Sequence, residues 1–119
     1  MHTVKPANNT VATKPPAEHL HFLILTHLGI EKAIEKIQNY LGKYGKKIPV
    51  EIEVRNMEEL SQVMKTGWVV RIMLDNFTVK KTREVVQIIN EKYETESSGG
   101  INLDTIRGYA ECGVDFVSV

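Results

Sequence analysis

The shortages in this sequence are more informative than its excesses. Its 119 residues hold one cysteine, Cys112, so no internal disulfide can form and a reducing compartment fits. Cys112 lies in AECGVDF near an expected helix end and reads as a packed small side chain rather than a nucleophile. Net charge is also missing. Fifteen basic and fifteen acidic residues cancel, leaving no broad field to draw the chain to nucleic acid or a membrane surface. Long hydrophobic runs are absent; the longest, Phe22 to Leu25, is far too short to span a bilayer. The amino terminus has no apolar signal core, so the expectation is a soluble, cytosolic protein.

What is present suffices for one domain. Apolar residues make up 42% of the chain, enough for a real core. Residues 1–18 are polar, aperiodic and proline-containing, and are expected to form a disordered tail ahead of a domain over 19–119. The sequon Asn8-Asn9-Thr10 has no secretory signal to give it meaning. His19, His21 and His27 lack the further ligands that a metal site needs.

From Ile30 onward the pattern is regular. Ile30, Ala33, Ile34, Ile37, Leu41 and Tyr44 recur at helical steps, and Gly45 is placed to end that helix. Extended stretches are expected at His21–Leu25, Pro49–Val54, Val69–Leu74, Lys92–Glu96 and the final DFVSV. Helices are expected after Asn56, after Thr78 and over Leu103–Glu111, with Asn56, Thr78 and Asn102 as caps. Trp68, between Gly67 and a strand, reads as a loop-packing residue.

Glu53, Asp75 and Ser97 follow at 22-residue steps, each closing an expected strand before an expected helix. Repeated strand–helix units make a parallel sheet, and continued around they close an eightfold barrel. Too few strands are present for closure. The fold class expected is α/β, a partial barrel of parallel strands alternating with helices, incomplete at both ends.

In such arrays the strand-to-helix loops converge at the carboxyl ends of the strands. Glu53, Asp75 and Ser97-Ser98-Gly99-Gly100 would line that rim. Carboxylates there could hold Mg²⁺ or accept bonds from sugar hydroxyls, and the glycine turn with the following helix would suit a phosphate. Plainer readings stay open. Glu51 and Glu53 could face solvent at an antiparallel edge, Asp75-Asn76 could only start a turn, and Ser-Gly-Gly is common in turns. Glu94 and Glu96 would repel an anion unless one points away or meets a cation.

Taken in order, GIEKAIEKI (29–37), EIEVRNMEEL (51–60), RIMLDNFT (71–78) and ETESSGGINLDTIRGYAECGVDFVSV (94–119) match a family pattern. They resemble the carboxyl-terminal barrel domain of quinolinate phosphoribosyltransferase, also called carboxylating nicotinate-nucleotide pyrophosphorylase. The resemblance implies transfer of phosphoribosyl from 5-phosphoribosyl-1-pyrophosphate (PRPP) to quinolinate, with Mg²⁺, giving nicotinate mononucleotide, pyrophosphate and CO₂. It implies that Glu53 and Asp75 contact the ribose and its metal-bound pyrophosphate. It implies that Ser98, Gly99 and Gly100 hold a phosphate.

Two departures accompany it. The family's K-D-N-H block, whose lysine contacts substrate, is replaced by LHFL at Leu20–Leu23, and the family's second glycine loop would follow Val119. The expectation is therefore a truncated or diverged copy, inactive alone, with open strand edges that favour a homodimer or larger assembly. The alternatives are a non-catalytic phosphate-binding remnant or partner subunit, and a related barrel transferase with another acceptor.

Overall fold

The computed structural model describes residues 29–45 and 50–119 in full, together with the backbone of the strands His2–Lys5, Thr10–Thr13 and Leu20–Phe22. In chain order the elements are β1 (His2–Lys5), β2 (Thr10–Thr13), β3 (Leu20–Phe22), α1 (Ile30–Lys43), β4 (Val50–Val54) and α2 (Met57–Thr66). They continue as β5 (Arg71–Asp75), α3 (Val79–Ile89), β6 (Glu94–Ser98), α4 (Ile106–Ala110) and β7 (Phe116–Val117).

One sheet runs in the order β2-β1-β7-β6-β5-β4-β3. Strands β3 to β7 lie side by side and parallel, each joined to the next through a helix, as the strand–helix rhythm requires. The sheet is open: an arc of a barrel rather than a closed one. The even 22-residue step does not carry over into register. Glu53 stands beside Met73, Met73 beside Glu96 and Glu96 beside Phe116, positions 20, 23 and 20 residues apart. Loop and helix lengths differ between repeats, so equal spacing in sequence does not give equal height in the sheet.

Residues 1–18 also depart from expectation. Within that stretch β1 and β2 form an antiparallel pair, and β1 lies antiparallel against β7 through His2 and Thr3. β-Branched Thr3, Val4, Thr10, Val11 and Thr13 favour extended backbone, and β7 would otherwise present an unpaired edge. The rest of that stretch, His19, His27 and the end of the strand expected through Leu25 lie outside the described residues.

Helix boundaries follow local chemistry. Asn56 Oδ1 accepts from the Glu59 N–H at 2.8 Å, and Gly67 ends α2 in the left-handed region. Thr78 Oγ1 accepts from the Lys81 N–H, and Asn90 closes α3 in the left-handed region. The helix expected over Leu103–Glu111 is shorter. Asn102 Oδ1 takes the N–H groups of Asp104 and Thr105 into a turn, and α4 begins only at Ile106. Gly108 within α4 leaves room for Val79, whose Cγ2 would lie 3.3 Å from a Cβ there.

Alternation gives the sheet two different faces. On one, Ile52, Val54, Ile72 and Leu74 are fully buried against Ile30, Ile34, Leu60, Val63 and Val85 of the helices, with Trp68 packed alongside. Each such side chain contributes roughly 1.5–3 kcal/mol. The other face carries Glu51, Glu53, Arg71, Met73, Asp75, Glu94, Glu96, Ser98 and Phe116. Those mid-strand positions are chiefly charged and still buried, Arg71 and Glu96 to 1% exposure. This polar inner face positions the candidate site.

Candidate functional site

The inner face rises in rows. Glu51, Arg71 and Glu94 form the lowest, Glu53, Met73, Glu96 and Phe116 the next, and Asp75 with Ser98 the top one. The sequence-predicted residues therefore share the carboxyl end of parallel strands and one face. They do not share one level. Asp75 and Ser98 are register partners at the last positions of β5 and β6, while Glu53 sits one row below because β4 continues to Val54. All three are half-buried.

The Ser98-Gly99-Gly100 turn is built against the next loop. The Asn76 N–H donates to the Ser98 carbonyl at 2.9 Å, which ties the ends of β5 and β6 together. Asn76 itself is left-handed, with φ 58°, and its side-chain amide donates to Asp75 Oδ2 at 3.4 Å. Gly99 (φ 91°) has no room for a side chain beside Asn76, whereas Gly100 (φ 67°) opens to space. So Gly99 answers to packing, and Gly100 is the glycine that leaves the backbone approachable. Tyr109 Oη donates to the Phe77 carbonyl at 2.8 Å, so α4 steadies the loop that follows Asp75.

The contribution expected from the following helix is small. α4 has five residues, and two nearby N–H groups are taken by Asn102. An anion at this turn would meet the turn's own backbone rather than a helix dipole.

A cleft of about 260 Å³ lies beside this rim, where α2 and α3 begin, lined by Arg55, Asn56, Met57, Asn76, Phe77, Thr78 and Lys81. Its cations are engaged: Arg55 pairs with Glu59 at 3.1 Å and Lys81 with Glu84 at 3.3 Å. A second hollow of about 270 Å³ lies at the opposite end of the strands, near Tyr93, Glu94 and Asp115. Among the described residues no group of three or more His, Cys, Asp or Glu could hold a metal by itself. Asp75 and Glu53 still fit Mg²⁺ delivered with a ligand, because Mg²⁺ is usually held by one or two carboxylates plus substrate phosphates.

Sequence reasoning missed Arg71. Its guanidinium lies 3.4 Å from Glu94 Oε2, 3.7 Å from Glu96 Oε1 and 4.0 Å from Glu51 Oε2. It also stacks 3.7 Å from the centre of the Phe116 ring. A signal existed. An arginine inside VVRIML, a run expected to be buried on both faces, requires carboxylates on its neighbours, and Glu94 and Glu96 were there to supply them.

Cys112 is a packed thiol. Its single S–H has two acceptors in reach, the Val79 and Gly108 carbonyls, each at 3.3 Å. Burial pushes its pKa up, Arg83 opposes that shift and Glu111 adds to it. No helix among the described residues is long and apolar enough to cross a membrane.

Comparison with known proteins agrees with this fold. The family model "Quinolinate phosphoribosyl transferase, C-terminal domain" matches residues 19–119. The chloroplastic nicotinate-nucleotide pyrophosphorylase [carboxylating] of Arabidopsis thaliana is 32% identical, the match covering 76% of this chain and 30% of that protein. The mitochondrial quinolinate phosphoribosyltransferase [decarboxylating] 2b of Nicotiana tabacum is 33% identical with the same coverage. The crystal structure of nicotinate-nucleotide pyrophosphorylase from Ehrlichia chaffeensis matches with a TM-score of 0.74 at 26% identity, over 88% of this chain and 38% of that one. That from Francisella tularensis matches with a TM-score of 0.73 at 34% identity, over 85% of this chain and 34% of that one. The chain thus spans about a third of the length of these relatives. With the family model and these relatives in agreement, it belongs to the quinolinate phosphoribosyl transferase family, matching that family's C-terminal domain over residues 19–119.

Proposed function

We propose that this chain is the phosphoribosyl-binding portion of a quinolinate phosphoribosyltransferase. In the complete reaction the quinolinate ring nitrogen attacks C1 of the PRPP ribose. Pyrophosphate departs, the carboxylate beside the nitrogen is lost as CO₂, and the ring carbon that carried it takes up a proton, leaving nicotinate mononucleotide. The observation that carries the reading is the pairing of Asp75 with Ser98 at the carboxyl ends of adjacent parallel strands, with Glu53 one row below on the same face.

That geometry suits the parts of PRPP. The Ser98–Gly100 turn offers backbone donors to a phosphate, and Gly100 leaves the approach open. Asp75 and Glu53 offer acceptors to ribose hydroxyls, and their charge favours an electron-poor ribosyl centre, as carboxylates do in glycoside chemistry. Asp75 and Glu53 would also hold Mg²⁺ arriving with the pyrophosphate. That ion would neutralise charge on the leaving group.

The acceptor half is thin. LHFL stands where the family pattern has its lysine-containing block, and a dicarboxylate needs cationic partners to leave water. The chain alone is therefore expected to bind PRPP with Mg²⁺ and to produce no nicotinate mononucleotide. The same observation favours the second reading, a phosphate-binding partner subunit that acts by assembling with a complete copy as a homodimer or larger oligomer. Placement in the cytosol remains part of this proposal, since relatives above carry chloroplastic and mitochondrial names.

Calorimetric titration of the purified chain with PRPP and Mg²⁺ tests the seat. Binding that Asp75→Asn weakens by about tenfold supports it. Absence of binding by the wild-type chain removes it, and turnover on adding quinolinate overturns the expectation of inactivity.

A further inference from the structure

β6 presents an electrostatic difficulty that β5 resolves. Glu94, Glu96 and Ser98 alternate onto one face, so two carboxylates precede the turn proposed as a phosphate seat. Glu96 is one row below Ser98, roughly 6.6 Å along the strand, and a dianion at that height would feel it strongly in a half-buried setting.

We propose that Arg71 is the positioning residue that lets the Ser98–Gly100 turn accept a phosphate dianion, by offsetting part of the negative charge of Glu94 and Glu96 on the strand leading into it. This rests on the reading of that turn as a phosphate seat. The geometry supports it in three ways. The guanidinium contacts both glutamates, at 3.4 and 3.7 Å. It lies over the Phe116 ring, 3.7 Å from its centre, and is 1% exposed, so it is held away from solvent. Finally, the Ser118 hydroxyl, just past the end of β7, donates to Glu96 Oε2 at 2.7 Å, so a neutral donor holds that carboxylate's second oxygen.

A purely structural role accounts for this arrangement less well. Buried ion pairs are often replaceable by apolar side chains without loss of stability, and β5 is apolar between Arg71 and Asp75. One cation serving acidic residues on two neighbouring strands is what an anion seat above them requires.

The experiment titrates PRPP with Mg²⁺, and separately inorganic phosphate, into wild-type protein, Arg71→Lys, Arg71→Met and the triple variant Arg71→Met/Glu94→Gln/Glu96→Gln. Thermal melts establish the folded fraction of each. Arg71→Met is expected to weaken binding roughly tenfold or more, with the loss shrinking at high salt. Arg71→Lys should stay within about threefold of wild type because the charge is kept. The triple variant, which has neither the cation nor the two carboxylates of β6 and keeps only Glu51 of its partners, should return to within about threefold and carries the test if Arg71→Met does not fold. A triple variant that folds yet binds as weakly as folded Arg71→Met, or worse than wild type by tenfold, overturns the proposal, as does an Arg71→Met that binds like wild type. Wild-type protein that binds neither ligand removes the phosphate seat and this inference together. Wild-type binding with an indifferent Arg71→Met removes this inference alone.

Discussion

The backbone nitrogen of Asn76 lies 2.9 Å from where a Cβ on Gly99 would stand, and its Oδ1 lies 2.7 Å away. That contact joins the two loops that carry the candidate site. It also separates the two glycines of the turn. Gly99→Ala is expected to cost about 2–4 kcal/mol, since φ 91° and a backbone collision oppose it together. Gly100→Ala meets only the left-handed backbone and should cost about 1 kcal/mol. Urea denaturation at constant slope reads the difference, and equal costs would contradict the packing described here. Asn76→Ala should not rescue Gly99→Ala, because the obstructing backbone nitrogen remains.

Thr82 offers a test of the opposite sign. Its side chain on α3 is fully buried, and Oγ1 has no hydrogen-bond partner among the described residues. Valine has nearly the same shape and no hydroxyl to desolvate. Thr82→Val should therefore stabilise the fold by about 0.5–1.5 kcal/mol. A loss of stability would mean that the hydroxyl is satisfied after all.

Cys112 links burial to pH. Its folded pKa is raised, chiefly by burial, so the unfolded chain ionises first as pH increases. The thiol's contribution is full below the ordinary thiol pKa, about 8.5, and is lost as pH climbs from there through the raised folded value. Wild-type protein should lose more stability between about pH 7 and pH 10 than Cys112→Ala does. Its native thiol should also react with alkylating agents far more slowly than the unfolded chain. Equal pH slopes for the two proteins would contradict the assignment.

Much of the architecture was legible because it is local. Asn56, Thr78 and Gly67 act within one helical turn, and their roles follow from side-chain reach and backbone sterics alone. Glu53, Asp75 and Ser98 were placed at one end of the array because strand and helix alternate in the sequence. The shortened α4 was harder to foresee. Asn102 can cap a helix or close a turn with the same oxygen, and the residues around it do not choose between the two. The strands within 1–18 depend on an edge, β7, more than a hundred residues away.

By itself the sequence determined the strand–helix order, the caps and the family blocks, since each is encoded in residues that touch near neighbours along the chain. Only the tertiary structure decided register and pairing. It set Asp75 beside Ser98, lowered Glu53 by one row, and brought Arg71 against Glu94 and Glu96 from the next strand. Those relationships join residues about twenty positions apart through loops of unequal length. Side-chain chemistry does not count such lengths; strand pairing does.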